Sequence, residues 1–192
     1  MSGRENQEVS EYERQYEDGS DPRVLDIVDI PVREPRPEDH QTENWLLDSR
    51  YYWARAGRLS WHDLPSLAED PAGPLWLDGH STYNGLNDEV PGDLVGSLDD
   101  SLKLIHVGQL RLKVFKPGEA FGNTKRRVQG HFSYAGGSYR LWVTDPAYER
   151  HYLAMQDGDH LIGECWLTVS LGEPYRGACY KLIATVFSRE GG

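Results

Sequence analysis

From residue 102 onward, apolar and polar side chains alternate through LKLIHV, LRLKVF, RVQGHFSY, SYRLWV, CWLTVSL and CYKLIATVF. Period-two alternation predicts strands that bury one face. Only PAYERHYLAM, between the hairpin and the last two strands, has a helical pattern. Five strands with one helix inserted before the fourth predict a small Greek-key barrel. The centre of this region is a hairpin. Gly136-Gly137 can supply the positive φ values of a two-residue loop, which places Tyr134 opposite Tyr139, Phe132 opposite Leu141 and Gly130 opposite Val143. That face is apolar. The other face carries Arg127, Gln129, His131, Ser133, Arg140 and Trp142, a mixture of cations and one large ring.

The first half is patterned less regularly. Ser10 and Glu13 form a capping-box pair ahead of a short acidic helix over about 11–17, with Gly19 as its stop. VLDIVDIPV alternates as a strand and ends at the proline-rich REPRPEDHQ, and YYWARAGRLSW reads as a second extended stretch. Ser60 with Asp63 caps a further short helix near 61–69, which buries Leu64, Leu67 and Ala68; DPAGP breaks the chain at 70–74, and LWL is a brief strand. Strands interrupted by short helices match the arrangement downstream, so the pattern predicts two related barrels, divided at residues 1–104 and 105–192. Before the regular strands lies DGHSTYNGLNDEVPGDL, a long loop with little apolar content. Loops of this length inside a compact domain are commonly functional. His80, Ser81, Tyr83, Asn84 and Asn87 on it are neutral hydrogen-bonding groups suited to the polar edge of a ligand.

Charge sharpens the picture. The 192-residue chain has a net charge of -11, which argues against a generally basic surface. Its distribution is uneven: residues 1–104 hold 9 Lys and Arg against 23 Asp and Glu, while residues 110–150 hold 8 against 3. One part of the chain thus faces anions while the rest keeps the molecule soluble. Lys125, Arg126, Arg127, His131, Arg140 and Trp142 combine cations for phosphate with a ring for a base, as single-strand binders do.

Other classes find less support. No segment approaches the ~20 apolar residues of a membrane span, and the hydrophilic N-terminus is unlike a signal peptide, so a cytoplasmic location is expected. The histidines make no HxH or HExxH pair and two cysteines cannot build a structural zinc site, so neither a metal nor another cofactor is expected. Cys165 and Cys179 would be offset along a ladder and read as packing residues rather than a disulfide. No phosphate-binding loop or nucleophile elbow is present, and no catalytic residue is assigned.

The stretches SEYERQYEDGSDPRVLDIVDIPV, HQTENWLLD, YYWARAGRLSW, GHSTYNGLNDEVP, FGNTKRRVQGHF, YRLWVTDPAYERHYL and VSLGEPYRGACYKLIATV resemble the dual OB-containing domain of prokaryotic proteins, in the family's order over nearly the whole chain. The resemblance implies two OB-like barrels and a role in binding nucleic acid or nucleotides, in part in host defence. Family members usually begin with an additional strand and an aromatic-arginine segment before the position matching SGREN, where Met1 falls here, so the resemblance implies either a truncated start or an incomplete first barrel. The leading expectation is a non-enzymatic module for single-stranded DNA or RNA. The alternatives are a domain that binds or hydrolyses a nucleotide or modified nucleotide using the 79–91 loop, and a protein-interaction module acting through the acidic half. The oligomeric state is left open.

Overall fold

A computed structural model describes residues 1–3, 8–68 and 73–189. The chain forms two compact units, Met1–Leu67 and Ala68–Gly192. The division expected at 104/105 thus falls instead at 67/68, for a physical reason. Leu75, Trp76, Val90 and Val95 are buried in the same core as the strands that follow, so the segment after residue 68 belongs with them.

The first unit holds β1 (Asp26–Asp29), β2 (Val32–Pro35), β3 (Trp45–Leu47) and β4 (Ala54–Arg58). β1 pairs antiparallel with β4 and β2 with β3, giving two separate two-stranded sheets rather than a closed ring. Asp26 ties the first pair together. Its carboxylate accepts from Arg23 N–H at 2.9 Å and the Tyr16 hydroxyl at 3.1 Å, and faces Arg55 and Arg58, each at 3.3 Å. The Arg23 N–H, then Tyr16 and the two guanidiniums, hold its pKa below the ordinary value against the cost of desolvation. Ser10 and Glu13 make their expected reciprocal bonds, but they close a turn over 11–14, not a helix. A short 3-10 turn, Trp61–Ser66, replaces the helix expected over 61–69; Pro65 lies inside it, Leu64 is buried and Leu67 is exposed. Residue 69 of that expected helix, and residues 70–72 of the DPAGP break, lie outside the described residues.

The second unit is the barrel. Its elements are β5 (Glu89–Pro91), α1 (Gly92–Val95), β6 (Leu102–Phe115), β7 (Arg127–Tyr134), β8 (Gly137–Val143), α2 (Pro146–Leu153), β9 (Gly158–Leu171) and β10 (Ala178–Phe187). The order β10-β8-β7-β6-β9 closes through a β9–β10 pairing, so five strands form a ring, and β5 adds to the end of β10. β8 and β10 run parallel, Leu182 facing Trp142 and Ile183 facing Val143. α2 is inserted before the fourth barrel strand, where the pattern predicts it; Asp145 caps it, accepting from Ala147 N–H at 2.9 Å and Tyr148 N–H at 3.1 Å. The interior is filled by alternate residues of every strand, among them Ile105, Leu112, Val128, Leu141, Leu167 and Ile183. Cys165 and Cys179 are free and buried, and burial pushes the Cys165 thiol up to about 12. Leu75–Leu77 is not a strand: Trp76 has φ +59° and anchors its indole N–H on Asp100 at 2.5 Å.

Candidate nucleic-acid interface

The hairpin forms with a turn one residue earlier than expected. Ala135 and Gly136 take φ +48° and +82°, the two positive values of a type I′ turn, and Gly137 starts β8 opposite Tyr134. The pairing is therefore shifted by two residues: Phe132 faces Tyr139, His131 faces Arg140 and Gln129 faces Trp142. A shift of two keeps every side chain on its own face. The apolar set lines the barrel interior, and the polar set lies outside.

β6 extends that outer face, because its register continues the rows. Arg111 faces His131, which faces Arg140; Lys113 faces Gln129, which faces Trp142; Phe115 faces Arg127. The first row sets three basic side chains abreast on three adjacent strands. The other two form an interleaved stack. The Arg127 guanidinium lies 4.1 Å from the Trp142 ring centre, Trp142 and Phe115 are stacked at 5.9 Å and 22°, and Lys113 Nζ is 5.0 Å from the Phe115 ring. Such contacts contribute about 0.5–2 kcal/mol each. Arg127 and Trp142 are thus half-buried partners, and burial lowers the Arg127 pKa from its ordinary value. Trp142 is less open as a stacking platform than the hairpin pattern alone implies.

The loop expected over 79–91, whose last three residues form β5, meets this same face. Leu86 and Arg140 exchange backbone hydrogen bonds at 3.4 and 3.1 Å along the stretch of β8 that precedes its pairing with β10. Asn84 O accepts from Gln129 Nε2 at 2.9 Å, and Asn87 Nδ2 donates to Ser138 O at 3.0 Å. Within the loop, Ser81 Oγ accepts from Asn87 N–H at 2.8 Å, and Thr82 donates twice to the buried Asp88 carboxylate. The fold brings the two predicted groups together, but their polar groups are engaged in the fold: Asn84 O and Asn87 Nδ2 hold the loop to the hairpin, Asn84 Nδ2 donates to Pro117 O, and Ser81 bonds within the loop. Gln129, on the outer face, is only 2% exposed because the loop covers it.

Two rings stand open. Tyr83 is 84% and Phe121 77% exposed, and their centroids are 6.2 Å apart at 69°. Tyr83 is on the 79–91 loop and Phe121 on the β6–β7 connection. Arg126 has another role: it donates to Asp157 at 2.6 Å and to the carbonyls of Leu153 and Met155, tying that connection to the end of α2. Lys125 is exposed beside it, and His80 is half-buried at the start of the loop. Sequence reasoning missed Arg111, Lys113, Phe115 and Phe121. The alternation of LRLKVF already puts the first three on one face, and only the partner strand was unknown.

Beside the basic row lies a groove of about 580 Å³ lined by Arg111, His131, Arg140, Ser133, Ser138 and Gln109, with Leu86 at its edge. It opens where the β6 register breaks between Val107 and Arg111. The carboxylate that meets the row is Asp159, 3.8 Å from Arg111. Because Gln129 gives its amide N–H to Asn84, its oxygen faces His131 Nε2 at 3.0 Å; that nitrogen therefore carries the proton and Nδ1 does not. Desolvation, then Arg140, Lys113 and Arg111, lower the His131 pKa against a small opposing effect of Asp159, so the ring is neutral at pH 7. No group of three His, Cys, Asp or Glu suited to a metal occurs among the described residues, and no helix among them is long and apolar enough to cross a membrane.

A closed five-stranded ring with a helix before the fourth strand and parallel β8 and β10 defines an OB-type barrel. The model of the dual OB-containing domain family matches residues 1–186, and the chain belongs to that family. No curated protein and no solved structure matches the chain.

Proposed function

We propose that the second unit is a binding module for single-stranded nucleic acid, which it holds along the outer face of β6, β7 and β8. The observation that carries this reading is the in-register row of Arg111, His131 and Arg140 beside two open aromatic rings. Cations and flat rings on the second and third barrel strands and the first connecting loop are the means by which OB barrels hold a strand. Phosphate engages the row, and a base stacks on Tyr83 or Phe121. The chain's overall net charge of -11 disfavours loose attachment.

Fluorescence anisotropy with short single-stranded DNA and RNA tests this. The affinity falls as salt rises, with a log-log slope of about -0.7 for each phosphate engaged. Arg111→Ala with Arg140→Ala flattens that slope by about 1.4 and weakens binding, and Tyr83→Ala with Phe121→Ala costs about 1–3 kcal/mol for each stacked base. Binding that is unchanged in both double variants, or flat between low and moderate salt, rejects the reading.

A further inference from the structure

We infer that the groove at Arg111, His131 and Arg140 is a subsite for a phosphate monoester, the terminal phosphate of a strand or of a mononucleotide. The inference rests on the reading of this face as a nucleic-acid surface and adds to it which phosphate is held there.

Neighbouring strands are about 4.8 Å apart, so Arg111 and Arg140 rise from the sheet roughly 10 Å apart with His131 on the strand between them. The cations are gathered across the strands at one place, not spaced along a path. An internal phosphodiester carries a single charge. A terminal phosphate carries about -1.5 to -2 at neutral pH and has three acceptor oxygens. Two guanidiniums match that charge, and the Ser133 and Ser138 hydroxyls, directly opposite each other on the neighbouring row, supply neutral donors in the same groove. The volume of about 580 Å³ is that of a small-ligand pocket rather than of a single ion. Lys113 and Arg127 are held on the rings of Phe115 and Trp142, which leaves Arg111 and Arg140 as the row's anion-binding pair. Arg111 meets Asp159 at 3.8 Å with both side chains about half exposed, a weak attachment that a phosphate can replace.

His131 adds a second readout. Its Nε2 proton is committed to Gln129, so an anion at the other nitrogen is met by a bare lone pair. The groups that face the ring are Arg111 and Lys113 from β6, Arg140 from β8, Gln129 from its own strand and, more weakly, Asp159 from β9. Desolvation and then the cations keep the imidazole neutral while the groove is empty. A dianion between them reverses that balance, and the ring takes up a proton on Nδ1 and donates.

The test compares one oligonucleotide with a 5′-phosphate, with a 3′-phosphate and with neither, together with a nucleoside monophosphate and inorganic phosphate as competitors. The expected result is at least tenfold tighter binding of one phosphorylated form, lost in Arg140→Gln with the melting temperature unchanged. Calorimetry of that form at pH 7 in buffers of different ionisation enthalpy then shows proton uptake, abolished in His131→Gln. The favoured arm identifies the source of the phosphate. Equal affinity for all three oligonucleotides overturns the inference and leaves strand binding intact. Competition by the monophosphate without binding of the unphosphorylated strand supports the subsite and removes the strand reading. No binding of any probe overturns both.

Discussion

Gly130 shows how one position constrains the barrel. A Cβ there would lie 2.3 Å from Ile183 Cδ1 and 3.2 Å from Leu110 Cδ1, so the residue opposite Leu141 has to be bare. Gly130→Ala is expected to cost about 1–3 kcal/mol by overpacking, and adding Ile183→Val, which removes the offending methyl, recovers most of it; thermal unfolding of the three variants checks this. Lys181 is the other demanding residue. It is 1% exposed, donates Nζ to Leu77 O and lies 3.6 Å from Asp78, whose carboxylate also accepts from the Tyr139 hydroxyl at 2.9 Å. Desolvation pulls the Lys181 pKa from 10.5 to about 8, with Asp78 and then Asp88 opposing. The folded state therefore binds this proton more weakly than the unfolded chain does, and the lysine's contribution to stability becomes more favourable as pH rises from 8 to 10.5. Cys165 acts in the opposite sense above pH 9, since its raised pKa leaves the folded thiol protonated. Comparison with Lys181→Met cancels the cysteine. Urea unfolding should show wild type gaining up to about 3 kcal/mol on that variant between pH 7.5 and 10.5, and a constant difference would mean that the ammonium is solvated in the fold.

Secondary structure was legible where side-chain periodicity carried it. The barrel strands, α2 and both faces of the hairpin follow from period two and from Asp145-Pro146 at a helix start. The turn was not legible, because Gly136-Gly137 offers the freer residues while the chain places Ala135 at φ +48°. A slip of two residues leaves the face pattern unchanged, so alternation cannot detect it. The capping pairs at Ser10 and Ser60 satisfy a first turn, but short segments without a buried face do not extend it into an α-helix. The basic row was half legible: His131 and Arg140 were in view, and Arg111 joined them only through the β6–β7 register. The observed turn has its own test. Asn tolerates positive φ better than Ala, so Ala135→Asn is expected to stabilise by about 0.5–1 kcal/mol in chemical denaturation. In the alternative register Ala135 is a strand residue facing Ser138, and the same substitution would destabilise.

At the scale of the molecule, charge and core are divided unequally. The second unit contains the barrel core and every residue of the proposed site, whereas the first buries few apolar side chains among its described residues, chiefly Tyr16 and Leu64. Residues 1–67 hold 8 Arg against 15 Asp and Glu, a net -7 of the total -11. A fragment of residues 68–192 should therefore unfold cooperatively on its own, since its hydrophobic cluster and ring of strands lie within it. Removing the acidic unit also removes a long-range repulsion toward phosphate. Single-strand affinity of the fragment should exceed that of the full chain several-fold at low salt, and the two should converge near 0.5 M, where the Debye length is only about 4 Å. A gap that persists at high salt would instead show that the first unit acts on binding through contact rather than through its field. A fragment that binds more weakly at every salt concentration would mean that the first unit supplies part of the strand's path.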